Sequence, residues 1–96
     1  MLLQFVSAQP NEPFPRYGLA MEYKNLGQLE EAARAFGELM TRYPDYTAAY
    51  LHAGNTLVEL GRRHEARQVY QVGIEACRRK GDAHALGELE AALGLL

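Results

Sequence analysis

A chain of 96 residues, 48% hydrophobic and 23% charged, reads as one small globular domain. Its net charge of -2 sets up no field that would draw it to nucleic acid or to an anionic membrane. The single cysteine, Cys77, excludes an internal disulfide, and no apolar run approaches the roughly 18–20 residues that span a bilayer.

Residues 1–11 read as a flexible N-terminal tail. Met1-Leu2-Leu3-Gln4-Phe5-Val6 lacks the basic start and the apolar length of a secretory signal, so a cytoplasmic protein is expected. Gln9-Pro10-Asn11-Glu12-Pro13 holds turn formers and no helical period. The apolar Leu2, Leu3, Phe5 and Val6 leave a second reading open, a segment lying on the domain or in its groove.

A first helix is predicted to start between Glu12 and Pro15, where Pro13 and Pro15 suit a first turn whose amides lack intrahelical partners. Leu19, Ala20, Tyr23 and Leu26 mark one face of it, and Gly27 ends it. The second helix is expected over 29–43. Leu29, Ala32, Ala33, Phe36, Leu39 and Met40 form its apolar stripe, Glu30 and Glu31 suit its first turn, and Pro44 closes it. Glu30 with Arg34, and Glu38 with Arg42, have the spacing of intrahelical ion pairs. Asp45 is the expected N-cap of a third helix over 46–60, with Tyr50, Ala53, Gly54, Leu57 and Leu60 facing inward.

A fourth helix is predicted over 63–80, burying Ala66, Val69, Tyr70, Gly73, Ile74 and Cys77. Gly73 weakens a helix interior, so it is expected to admit a close neighbour. Residues 61–80 hold six Arg or Lys against two Glu, but these cations bracket the helix at its two ends rather than lining one stripe. No nucleic-acid partner is expected from them. A fifth helix starts from Asp82 as N-cap and runs to about residue 93, with Ala85, Leu86, Leu89, Ala92, Leu93 and Leu96 as its stripe. Gly87 is either an internal weakness or another close contact. Glu88 and Glu90 read as solvated charges. No segment alternates as a strand does, and very short turns between helices force antiparallel neighbours.

One stretch recurs. Leu26-Gly27-Gln28-Leu29-Glu30-Glu31-Ala32-Ala33-Arg34-Ala35-Phe36 returns as Leu60-Gly61-Arg62-Arg63-His64-Glu65-Ala66-Arg67-Gln68-Val69-Tyr70, 34 residues on. A fixed period of this length signals a stack of identical helix pairs, each unable to bury its apolar face alone. Around it, Arg16, Leu19, Ala20, Tyr23, Ala32, Phe36 and Pro44 are answered by Tyr50, Ala53, Gly54, Leu57, Ala66, Tyr70 and Arg78. This pattern resembles the tetratricopeptide repeat family over about residues 13–80. Arg16 stands in place of the leading aromatic, Ala53 of the leucine and Arg78 of the closing proline.

The resemblance implies an all-α, right-handed α-solenoid of two helix-turn-helix repeats plus a C-terminal capping helix, of the kind found in small bacterial proteins. Residues 12–46 and 47–80 would be the repeats and 81–96 the cap. It also implies peptide binding on a concave face lined by the first helix of each repeat. That face would draw on Tyr17, Met21, Lys24, Leu51, His52, Asn55 and Leu89, with Phe14, Asn25, Ala48, Glu59, Asp82 and Ala85 around them. A carboxylate clamp for acidic chaperone tails is not expected, because its places carry Tyr17, Met21, His52, Asp82 and Leu86, and only Asn55 resembles a clamp group. Tyr17, Met21, Leu51 and His52 also admit a plainer role, as filler of a shallow inner surface.

No catalytic constellation is present in the sequence. His52, His64 and His84 fall on different helices at no metal-ligand spacing, Cys77 lies on an inward face, and there is no phosphate-binding glycine motif or nucleophile elbow. No enzyme activity, cofactor or metal is expected. The expected function is a protein-interaction module or scaffold for a peptide or partner helix. The alternative is a structural protein that self-associates through its apolar groove or its last helix; a monomer is favoured and a homodimer remains open.

Overall fold

The computed structural model describes residues 12–96, which form five α-helices and no strand. They are α1 (Pro13–Asn25), α2 (Leu29–Arg42), α3 (Ala48–Glu59), α4 (Arg63–Lys80) and α5 (Ala83–Gly94). The N-terminal tail read from the sequence lies outside the described residues.

Three glycines set the turns after α1, α3 and α4. Gly27, Gly61 and Gly81 have φ of +77°, +79° and +72°, the left-handed region that a side chain disfavours. Each turn closes with the same pair of bonds. The amides of Gln28, Arg62 and Asp82 donate to the carbonyls of Tyr23, Leu57 and Cys77 at 2.9, 2.8 and 2.9 Å. The glycine amides donate to Lys24, Val58 and Arg78. Leu26 therefore falls beyond the end of α1 and is 64% exposed, instead of extending its buried face as expected.

The helices stack as α1 on α2, α2 on α3, α3 on α4 and α4 on α5, while α1 also meets α3 and α3 meets α5. Two helix layers result, in a molecule 18 Å across its thinnest direction, against about 10 Å for one helix. The first half of the core holds Ala20, Ala32, Phe36, Leu39, Ala49 and Ala53. The second holds Tyr50, Leu57, Ala66, Tyr70, Ile74, Ala76, Cys77 and Leu89. Ala32 and Ala66 are fully buried where paired helices close on each other, and Phe36 and Tyr70 fill the joints. The expected close approach at Gly73 is present: a Cβ there would lie 2.5 Å from Tyr50 Cβ. Gly87 has nothing within 4 Å of a built Cβ, so it is no contact point.

Polar ties cross from one helix pair to the next at nearly the repeat offset. Lys24 pairs with Glu59 at 2.9 Å, Arg62 with Glu30 at 2.6 Å, and Arg79 with Asp45 at 2.8 Å. Asp45 is thus not the cap of α3, whose start carries no side-chain cap bond, because its carboxylate is taken by the Arg79 guanidinium. Glu30 reaches across to Arg62 rather than along α2 to Arg34. Such exposed pairs contribute roughly 0–1 kcal/mol each, so they follow the stacking rather than set it.

Asp82 does cap α5. Its Oδ1 accepts from the Ala85 amide at 3.1 Å and its Oδ2 from the Thr47 hydroxyl at 2.6 Å. The Thr47 bond first, and the Ala85 amide second, hold the Asp82 carboxyl below its ordinary value of 3.8. A lowered carboxyl pKa stabilises the fold above the unfolded value, and that contribution is lost as pH falls through the folded one. Asp82→Asn is therefore expected to melt below the parent at neutral pH, with the gap closing on acidification below 3.8. Melting curves across this range check it; a gap that stays constant to about pH 2 contradicts the assignment.

Candidate binding face

Because α1, α3 and α5 lie side by side, their outward residues share one face, while α2 and α4 make the other layer. Tyr17 of α1 is half-buried at its middle. Its ring centroid lies 6.0 Å from His52 of α3, 5.5 Å from Tyr46 just before α3, and 6.4 Å from buried Phe36. The Tyr17 pairs with Phe36 and Tyr46, at interplanar angles of 61° and 62°, are the edge-to-face arrangements that aromatic quadrupoles favour, while His52 is tilted against Tyr17 at 59°. Burial raises the Tyr17 hydroxyl pKa, with Tyr46 and the Glu88 carboxylate adding to the rise. Burial lowers that of His52, the Lys24 cation lowers it further, and Glu88 opposes both. His52 is thereby biased toward neutral imidazole, able to donate from one ring nitrogen and accept at the other.

The C-terminal ends of α1, α3 and α5 border a cleft of about 370 Å³ lined by Lys24, Asn55, Val58, Glu59, Arg63, Tyr70, Ala92, Leu95 and Leu96. Asn55 Oδ1 accepts from the Tyr70 hydroxyl at 2.5 Å, which fixes its side chain to α4 and leaves the amide nitrogen to donate. Lys24 is pinned to Glu59, and its side chain is only 19% exposed. Arg63 donates to the Leu96 carbonyl at 3.2 Å.

The seven residues expected on this face divide into groups. Tyr17 and His52 are in ring contact, and Lys24 and Asn55 line one cleft. Met21 and Leu51 are half-buried against the first and second parts of the core. Leu89 is a correction: it is fully buried, with its Cδ1 close over Gly73, and offers nothing to a ligand. Asp82 is likewise committed to Thr47 and Ala85.

Glu88 is exposed, as read from the sequence, and its charge reaches both Tyr17 and His52. One feature was missed from the sequence. On the opposite layer an apolar groove of about 460 Å³ runs between α2 and α4, lined by Met40, Leu57, Val69 and Val72 and opened by Gly37. Among the described residues no three His, Cys, Asp or Glu side chains are grouped as metal ligands, and no helix is long and apolar enough to cross a membrane. Cys77 is buried, and burial raises its thiol pKa.

Helix pairs stacked at one offset, closed by identical glycine turns and sharing an inner face, define a helical-repeat protein. The chain belongs to the tetratricopeptide repeat family, whose model matches residues 25–93. That match takes in α2 to α5; α1 is placed by solved structures. A crystal structure of a tetratricopeptide repeat domain protein from Salinibacter ruber is 36% identical, with a TM-score of 0.81, over 85% of this chain and 92% of that one. A solution NMR structure of a tetratricopeptide repeat domain protein from the same organism is also 36% identical, with a TM-score of 0.83, over 88% and 86%. A solution structure of a Bordetella parapertussis protein is 26% identical, with a TM-score of 0.81, over 96% and 80%. No curated protein matches the sequence. The family's repeats are generally non-catalytic scaffolds that bind protein partners, which sets the class of function.

Proposed function

We propose that this chain is a non-catalytic interaction module that seats a peptide segment or a partner helix on the face formed by α1, α3 and α5. The contact between Tyr17 and His52, with Tyr46 beside them, carries the reading. It places half-buried aromatic rings with polar tips across two adjacent helices, next to a cleft with an available Asn55 amide. Such rings supply large apolar contact at low entropic cost and hydrogen bonds at their edges. Amide chemical-shift mapping with a bound peptide tests it. Shifts are expected at Tyr17, Tyr46, His52 and Asn55; shifts confined to α2 and α4 contradict the reading.

Self-association is the second reading. Leu95, 86% exposed beside the same cleft, and Phe14, 63% exposed on α1, favour it. Sedimentation over rising concentration separates the two, since a monomer throughout removes it.

A further inference from the structure

The chain ahead of α1 has a composition that water does not favour. Residues 1–11 contain no Asp, Glu, Lys, Arg or His, and Met1, Leu2, Leu3, Phe5 and Val6 make their first half almost wholly apolar. Segments that stay solvated as coil are the reverse, rich in charge and poor in large apolar side chains.

The start of α1 fixes where this segment joins the fold. Pro13, the first residue of α1, borders a hollow of about 290 Å³ together with Tyr43, Pro44, Asp45 and Tyr46 at the end of α2. Pro44 is also a wall of the 460 Å³ groove between α2 and α4. The hollow beside the incoming chain and the groove thus share one residue.

The groove has the matching chemistry. Met40 of α2 and Val69 and Val72 of α4 line it over buried Leu57 of α3, and among the described residues Glu65 is its one charged lining residue. Val72 is 51% exposed there. The neighbouring hollow on α2 is charged instead, with Arg34, Glu38 and Arg42 in its lining. The cleft at the other ends of α1, α3 and α5 carries Lys24, Glu59 and Arg63. Length fits as well. From Gly37 to Pro44 the groove follows α2 for about 10 Å at the helical rise. An extended run from Leu2 to Val6 covers up to about 17 Å, and Ser7 to Glu12 up to about 20 Å, enough to round Pro44.

We propose that residues 1–11 of this chain fold back past Pro44 and seat the apolar run Leu2–Val6 in the α2–α4 groove, against Met40, Val69 and Val72. The segment covers the outer layer of the stack and leaves the face of α1, α3 and α5 open to a partner. The proposal does not depend on the reading of that face.

NMR of the full chain tests it. Nuclear Overhauser contacts are expected from the side chains of Leu3 and Phe5 to the methyl groups of Met40, Val69 and Val72. Val72→Glu should remove them, while Leu95→Glu, the same change at another exposed position, should not. Chymotrypsin cleavage after Phe5 should run about ten-fold faster in Val72→Glu than in the parent or Leu95→Glu, because cleavage tracks the population of the undocked segment. Circular dichroism confirms that both variants are folded; where Val72→Glu fails to fold, the contacts in the parent decide alone. Contacts of Phe5 with Tyr17 or His52, or with no residue of α2 and α4, overturn the proposal. So do contacts seen only between labelled and unlabelled chains, which place the segment on a second copy, and a cleavage rate that Val72→Glu leaves unchanged.

Discussion

Deletion of residues 82–96 is expected to leave a chain that no longer melts cooperatively and that aggregates. The expectation follows from what α5 covers. Leu89 is fully exposed to no solvent, seated against Tyr50 and Gly73, and Ala85, Leu86, Ala92, Leu93 and Leu96 pack on the same half of the core. Returning one buried leucine to water costs about 1.5–3 kcal/mol. Several such side chains removed together approach the roughly 5–15 kcal/mol that holds a whole domain folded. The deletion also bares Ile74 and Cys77 of α4, and removes the Asp82 bond that ties Thr47 at the start of α3 to α5. A stacked-repeat protein needs an end that covers the last apolar face, because each layer is stabilised mainly by its neighbours. Thermal melting followed by circular dichroism, with light scattering alongside, checks this. A soluble truncation with a sharp transition would show that α5 is dispensable.

The frame was legible in the sequence for local reasons, and the face was not, for non-local ones. Gly27, Gly61 and Gly81 announced their turns because each needs a positive φ that glycine alone adopts cheaply. Phe36 and Tyr70 announced the joints because an aromatic at a fixed period has to be buried somewhere. Register on α5 admitted two readings, because Leu89 was expected both on the apolar stripe of that helix, where it lies, and on the binding face. Moving Asn55 forward by one period lands on Leu89, and that residue lies inside the core. The cause is a contact between distant segments: Leu89 drops into the space left by the missing side chain of Gly73. The next residue, Glu88, stays exposed, and its charge reaches Tyr17 and His52 only as a minor influence. Surface ion pairs were illegible for an energetic reason. The choice of Glu30 between Arg34 and Arg62 turns on a few tenths of a kcal/mol, less than the stacking geometry imposes.

Glycine to alanine inside these helices is expected to have opposite signs at Gly73 and Gly87. Alanine is favoured over glycine in a helix interior by roughly 0.5–1 kcal/mol, because glycine loses more backbone freedom on folding. At Gly87 nothing lies within 4 Å of the new Cβ, so that gain should appear undiminished as a rise in Tm. At Gly73 the Cβ would meet Tyr50 Cβ at 2.5 Å, Tyr50 Cγ at 2.8 Å and Leu89 Cδ1 at 2.9 Å. The leucine methyl can rotate aside, but Tyr50 Cβ is fixed to the backbone of α3, and the tyrosine is held at its other end by a 2.5 Å bond from its hydroxyl to the Pro44 carbonyl. Tyr50 is only 2% exposed, so its ring has no open side to move into. Relief therefore needs α3 and α4 to separate, which loosens the joint on which α5 rests. Forced overpacking of this kind typically costs about 1–3 kcal/mol, enough to outweigh the gain in helix propensity. In a domain of this size each kcal/mol moves Tm by about 4–8 °C, so the two variants should fall clearly on either side of the parent. Urea unfolding of both variants measures the difference directly, and a Gly73→Ala protein as stable as Gly87→Ala would mean that the two helices are not in contact there.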